Sequence, residues 1–390
     1  MAEFLCPENS LSGSLPSELG RLTGIQELVL SMNSFTGSLP NELGQLTSMT
    51  LLEIYRNSLN GSIPSDLGRL TSMEELKMSR NAFTGSLPSE LGQLINMTLL
   101  EIDRNSLNGS IPSELGRLIS IEELKMSRNA FTGTLPTHIG LLTNMTLLEI
   151  HRNSLNGSIP SELGWLTSIE ELKMSRNEFT GSLPTQLGQL TNMREFSCYR
   201  NSLYGSIPSE SGQLSKITSL NLRENSLSGS LPTQIGLLTQ LTELSLRSNS
   251  LDGPLPSEIG LLTQLSGLWV NDCFFSGAFP SEIGLMESLQ ILNLRNNSFS
   301  GLVISELGQL GNLQELDLAV SPPSLRGPFP FDSLPGSLGY LNISGSPGLV
   351  GSIPEELCFL QKSSCSYGDD AQCYIDFDCS SLLCGCDCDC

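Results

Sequence analysis

Apolar residues along this chain keep one spacing from near the first residue to past residue 340. One stretch shows it: Ile25, Leu28, Leu30, Phe35, Leu39, Leu43 and Leu46 alternate with polar residues, and the same order returns 24 residues later. Asn marks the period at 9, 33, 57, 81, 105, 129, 153, 177, 201, 225 and 249; Cys273 takes the next slot and Asn297 the one after. Gly follows four residues later each time, from Gly13 to Gly301. Leu28, Val29 and Leu30 predict a short half-buried strand, because successive strand residues face opposite sides. Asn33 predicts a turn in which its amide serves backbone groups that no ladder satisfies, and stacked copies predict a polar ladder. Gly37 predicts a backbone angle that other residues avoid. Pro40, Glu42 and Gly44 predict a single helical turn, with proline at its first position and glycine ending it.

One such unit cannot bury its own apolar face, so consecutive units must stack. The expected class is an α/β solenoid: a right-handed superhelix with a parallel concave sheet, and short helical turns and extended loops on the convex side. Fourteen strand-bearing repeats are expected, starting at Ile25, Met49, Met73, Met97, Ile121, Met145, Ile169, Met193, Ile217, Leu241, Leu265, Leu289, Leu313 and Leu338. The expected organisation is a partial leading repeat over 1–24, a solenoid over 25–357 and a Cys-rich cap or tail over 358–390.

The template LxxLxLxxNxLxGxIPxxLGxL resembles the plant-type leucine-rich-repeat family, through Gly-x-Ile/Leu-Pro at Gly61-Ser-Ile63-Pro64 and Gly85-Ser-Leu87-Pro88. That family includes ectodomains of receptor-like kinases, receptor-like proteins and polygalacturonase-inhibiting proteins. The resemblance covers residues 8–357 and implies extracellular binding of a ligand or protein, without naming one. It departs from the family in lacking the amino-terminal cysteine-paired cap, of which only Cys6 is present, and in having no kinase segment or span. The tail is similar to that of secreted repeat proteins of diatoms and other algae.

A 48-residue repeat overlies the shorter one: segments 49–96, 97–144 and 145–192 are nearly identical. On the strands this writes an alternating column, Glu53, Lys77, Glu101, Lys125, Glu149 and Lys173, which reads as a self-neutralising surface. Just before each Asn runs Arg56, Arg80, Arg104, Arg128, Arg152, Arg176 and Arg200. Either each guanidinium pairs with nearby acids and carbonyls, or the column is a strip for carboxylates, sulfates or acidic sugars. The column beside it varies and is expected to be exposed: Ser31, Tyr55, Ser79, Asp103, Ser127, His151, Ser175, Tyr199, Arg223, Arg247, Asn271, Arg295. Trp269 is expected on the same face. Repeats from Met193 to Leu289 break the copying, which makes them the favoured ligand site, with Tyr199, Arg223, Arg247 and Trp269 at its centre.

Of eleven Cys, Cys198 and Cys273 are expected unpaired inside the repeats, and Cys6 is expected either to cap the amino end or to belong with a partner upstream of this sequence. Cys358, Cys365, Cys373, Cys379, Cys384, Cys386, Cys388 and Cys390 read as a disulfide cap in an oxidising compartment; thiolate metal binding by the last four is the alternative. Glycosylation triplets stand at Asn60, Asn96, Asn108, Asn144, Asn156, Asn296 and Asn342. The formal charge of −21 opposes nucleic acid and anionic lipid surfaces. No run is long enough for a membrane helix, and MAEFLCPENS is no signal peptide. The start almost in mid-repeat leaves room for an upstream cap and signal outside this sequence. With only His138 and His151, no phosphate loop, no zinc spacing and no nucleophile motif, neither enzyme nor cofactor is expected. The expected role is extracellular or cell-surface recognition of a protein or peptide, with an acidic glycan as a further candidate ligand. The alternative is a structural wall, adhesion or surface-coating solenoid.

Overall fold

A computed structural model describes residues 2–319 and 325–353, together with the backbone of 383–384. They fall into two compact units, Met1–Ser202 and Leu203–Cys390, each described by itself.

In the first unit nine three-residue strands, from Glu3–Leu5 to Glu195–Ser197, form one parallel sheet. Each strand pairs in register with the next repeat, as in Leu52↔Leu76 and Lys77↔Glu101. In the second unit six strands, from Ser219–Asn221 to Tyr340–Asn342, do the same. All fourteen expected repeats thus carry a strand, and the leading partial repeat adds Glu3–Leu5. Leu28- and Leu30-type side chains point inward and are buried in repeat after repeat, with Leu52, Ile54, Leu100 and Ile102 at 1% exposure or less. This stacking of parallel rungs is a solenoid.

The structure adds a second sheet. The segment after each Asn, expected as extended loop, pairs in parallel too: eight strands from Ser12–Ser14 to Glu178–Thr180 in the first unit, five from Tyr204–Gly205 to Ser298–Phe299 in the second. The cause is a period-two pattern. In Ser106–Ser110, Leu107 is buried while Ser106 and Asn108 face solvent. Phe83, Phe131, Phe179, Phe275 and Phe299 fill the same inward slot.

The helical turns are five-residue 3-10 turns such as Ser65–Arg69. Two expectations about them need correction. Proline precedes the turn, in extended conformation, with Pro64 at φ −64° and ψ 134°. The glycine lies inside the turn and does not end it. Its role is close approach: a Cβ on Gly44 would sit 2.4 Å from the Asp66 carbonyl oxygen of the next turn. Gly37, by contrast, is needed for its φ of +77°.

The asparagines join the rungs. Asn177 Nδ2 donates to the Met174 carbonyl of its own repeat and the Ile150 carbonyl of the repeat before, both at 3.0 Å. Its Oδ1 accepts from the Leu155 amide at 3.1 Å. The pattern recurs at Asn57, Asn81, Asn105, Asn129 and Asn153. The residue before each is left-handed: Met32, the seven arginines, Glu224, Ser248, Asp272 and Asn296 all have φ of +51° to +57°. Nothing in the residue types had signalled this, since none of these but Asn and Asp favours that region.

Cys198 and Cys273 are buried, and among the described residues neither they nor Cys6 form a disulfide. Burial pushes the Cys198 thiol up to about 12 and Cys273 up to about 11. Cys273 fills the asparagine slot with long contacts, Sγ to the Leu246 carbonyl at 3.5 Å. The expected disulfide set at 358, 365, 373, 379, 386, 388 and 390 lies outside the described residues, and of Cys384 only the backbone is described.

Candidate ligand-binding face

Side chains alternate along each strand, so the first and third residues of every strand, and the residue two further on, project from the sheet. In the first unit this face is a charge lattice. Lys77 Nζ lies 2.6 Å from Glu75 and 3.7 Å from Glu53. Lys125 pairs with Glu123. Lys173 lies 2.6 Å from Glu171, 3.3 Å from Glu195 and 3.6 Å from Glu149. The expected cross-strand pairing is present at Lys77–Glu53 and Lys173–Glu149, but the shortest contact runs along the strand, two residues back. Burial alone would lower these lysines; the hydrogen bond each donates to a neighbouring glutamate and the surrounding carboxylates outweigh it and hold Lys77, Lys125 and Lys173 above their ordinary value.

The variable column is not uniformly exposed. Ser31, Ser79, Ser127, Ser175 and Asn271 are buried. Ser31 donates to Glu53 on the next rung at 2.7 Å, Ser79 to Glu101, and Ser175 meets Ser197 at 2.7 Å. Tyr55, Asp103, His151, Tyr199, Arg223 and Arg247 are half-buried, and Arg295 is exposed. Burial, then the carboxylate of Glu101, raises Asp103.

His151 is the one imidazole on this face. Burial, then Arg128 and Arg152, pushes it down to about 4 from 6.5. Below pH 6.5 the unfolded chain therefore binds a proton there that the folded chain does not, and stability falls with acidification until about pH 4. An NMR titration of His151 is expected to show a midpoint near 4, and His151→Gln to lose less stability than the parent between about pH 7 and 5 in denaturant melts. A midpoint at the ordinary value would contradict the crowding of cations around it.

The strand face of the second unit holds a hollow. It measures about 230 Å³ and is lined by Ser219, Asn221, Arg223, Glu243, Ser245, Arg247 and Trp269. Three of the favoured residues, Arg223, Arg247 and Trp269, therefore come together. Tyr199 belongs to the first unit, where its ring lies 5.9 Å below the Arg176 guanidinium carbon. Trp269 lies across Gly267, where a Cβ would meet the indole at 2.2 Å. Glu224 holds the arginines apart, 3.5 Å from Arg223 Nε and 3.5 Å from Arg247 Nη2. Glu243 accepts from Ser219 at 3.4 Å. Asn221 Oδ1 is buried with no hydrogen-bond partner. Glu224 and Asn221 were not singled out in the sequence. The regular spacing could have flagged Asn221, which projects from the middle strand column between Ser197- and Ser245-type positions.

Chemically the hollow offers guanidinium donors, a carboxylate, hydroxyls, an unfilled acceptor and an indole face. It is smaller than the roughly 300–1,000 Å³ of a small-molecule site, which suits one anchoring side chain of a larger ligand. Among the described residues no group of His, Cys, Asp and Glu could hold a metal ion. No helix among them is long and apolar enough to cross a membrane. Of the expected glycosylation sites, Asn60, Asn96, Asn108, Asn144, Asn156 and Asn296 are exposed. Asn342 is a correction: it is 6% exposed, because it ends a sheet strand and its Oδ1 is taken by the Ser344 amide and hydroxyl at 3.1 and 2.8 Å.

A profile described as "Leucine-rich repeat region" matches residues 201–327, and one described as "Leucine Rich Repeat" matches 24–46, 72–94 and 168–190. Among solved structures, the chain is similar to the plant peptide hormone receptor RGFR1 in complex with RGF2, at 34% identity and a TM-score of 0.88 over 93% of this chain and 57% of that one. It is also similar to the Arabidopsis receptor kinase HAESA ectodomain in complex with an extended IDA peptide hormone, at 32% identity and 0.78 over 90% and 59%. A leucine-rich-repeat protein of Leptospira interrogans is 30% identical, with a TM-score of 0.59 over 79% of this chain and 88% of that one. The chain spans less than two thirds of the two plant ectodomains. No curated protein sequence matches at a significant level.

Proposed function

The chain belongs to the leucine-rich-repeat family, and on that premise we propose that it is a non-catalytic extracellular recognition module that seats an anchoring side chain of a peptide or protein ligand in the hollow at Trp269. The observation that carries this reading is the convergence of Arg223, Arg247, Glu243 and the unfilled Asn221 acceptor around one indole. A peptide backbone both donates and accepts, and the hollow supplies partners for both. The indole supplies the apolar contact area that dominates binding hot spots. Similar structures that were solved with peptide hormones on them support a peptide as the ligand class. Six exposed glycosylation triplets and a Cys-rich tail support secretion, with the tail cysteines paired as disulfides.

The test is selection of binders from a displayed random-peptide library on the immobilised full chain, followed by affinity measurement. Trp269→Ala is expected to weaken the selected peptides about 30-fold, a loss of roughly 2 kcal/mol. Deleting the copied residues 97–144 is expected to leave the affinity unchanged. If Trp269→Ala binds as the parent does while the deletion weakens binding, the function rests on the copied repeats and the structural-solenoid reading replaces this one.

A further inference from the structure

The cations on and beside the strand face of the first unit divide into two sets. Lys77, Lys125 and Lys173 are matched by the carboxylates of Glu53, Glu75, Glu123, Glu149, Glu171 and Glu195. The arginines directly after the variable column form the second set. Among the described residues Arg56, Arg80, Arg128 and Arg152 have no acidic group within ion-pair distance, and Arg104 has only Asp103, at 3.6 Å on the same chain segment. Arg176 Nε is buried without a hydrogen-bond partner. Four of the seven arginines therefore have no carboxylate to neutralise them among the described residues.

The backbone keeps this column in file. Every one of the seven arginines has φ between +53° and +57°. The amides of Arg56, Arg80, Arg104, Arg128 and Arg152 donate to the next rung at 2.9–3.0 Å. Identical backbone on successive rungs aims the side chains alike, at the rung spacing of about 4.8 Å. Seven rungs make a strip about 29 Å long and one guanidinium wide. The crowding is felt locally: burial, then Arg104 and Arg152, lowers the proton affinity of Arg128.

We propose that this arginine file is a docking strip for a linear polyuronate, an unbranched polysaccharide with one carboxylate on each sugar. A carboxylate matches the planar guanidinium fork. One charge per pyranose ring falls on the same length scale as one charge per rung. The half-buried Tyr55 and His151, in the adjoining column, give sugar rings a flat side chain to lie against. Duplex nucleic acid fits poorly. It carries a charge about every 1.7 Å along its axis, far denser than the file, and a net charge of −21 opposes it.

The experiment titrates the full chain with alginate, in parallel with its neutral propylene-glycol ester and with duplex DNA. Alginate is expected to bind and to lose at least tenfold in affinity between about 50 and 200 mM salt, a readout that needs no substitution. The ester and the DNA are expected not to bind. The triple variant Arg80→Asn, Arg128→Asn, Arg152→Asn keeps the left-handed backbone, which asparagine accepts. It is expected to melt as the parent does and to bind alginate at least tenfold more weakly, while Trp269→Ala leaves alginate binding unchanged. Salt-independent binding, equal binding of the ester or of DNA, or a folded triple variant with parental affinity would each overturn the proposal. None of these outcomes bears on the peptide hollow.

Discussion

Asn297→Leu is expected to destabilise the protein by about 4 kcal/mol, read in equilibrium denaturation and in loss of hydrogen-exchange protection at neighbouring repeats. Asn297 is 1% exposed. Its Nδ2 serves the carbonyls of Val270, Leu294 and Arg295 at 2.8, 2.9 and 3.2 Å, and its Oδ1 takes the Phe275 amide at 3.0 Å. Leucine matches the shape and satisfies none of these groups. Each buried polar group left without a partner costs roughly 1–3 kcal/mol, so several together outweigh any gain in apolar contact. Asn9 is the internal control. It is exposed and makes only a local bond to the Pro7 carbonyl, so Asn9→Leu is expected to cost under about 1 kcal/mol. Equal losses at the two sites would show that the asparagines hold turns and not rungs.

The second large effect is expected at the helical turns. Gly92→Ala adds one carbon, and that carbon would lie 2.3 Å from the Glu114 carbonyl oxygen and 2.7 Å from its carbon. Both are backbone atoms held by the next repeat, so no side chain can swing aside. The expected loss is about 3 kcal/mol, measured by thermal or denaturant melting. Gly24→Ala meets nothing within 4 Å and is expected to change stability by no more than about 0.5 kcal/mol. A neutral Gly92→Ala would mean that neighbouring turns can slide apart.

The fold was legible because each repeat restates it. The inward Leu28 and Leu30 slots, the asparagine and the left-handed glycine appear a dozen times over, and chance cannot mimic that. The second sheet was missed for a physical reason. Its strands carry at most one inward apolar residue, as in Ser58–Gly61, and so short an alternation does not stand out from a Ser- and Asn-rich turn. The inner glycine of each turn was misread because a turn-ending glycine and a close-approach glycine look alike until the neighbouring turn is placed. For the site, Arg223, Arg247 and Trp269 could be chosen by their departure from the copied pattern. That Glu224 would sit between the arginines and that Asn221 would be left with an empty acceptor could not, since both depend on how side chains fall across rungs. The left-handed backbone under the arginines was equally hidden, because it belongs to the turn and not to arginine: Met32, Glu224, Ser248 and Asp272, the last before Cys273, adopt it as well.

The rung-to-rung suture has an evolutionary corollary. Each asparagine reaches back one repeat and no further, and each turn glycine touches only its neighbour, so both ends of a 48-residue cassette present the same mating surface. Unequal recombination could then splice a cassette in or out without creating a mismatched joint. Repertoire would change by length before it changed by sequence: the nearly identical segments 49–96, 97–144 and 145–192 each carry two arginines directly before a repeat asparagine, so every added cassette would extend the cationic file in phase.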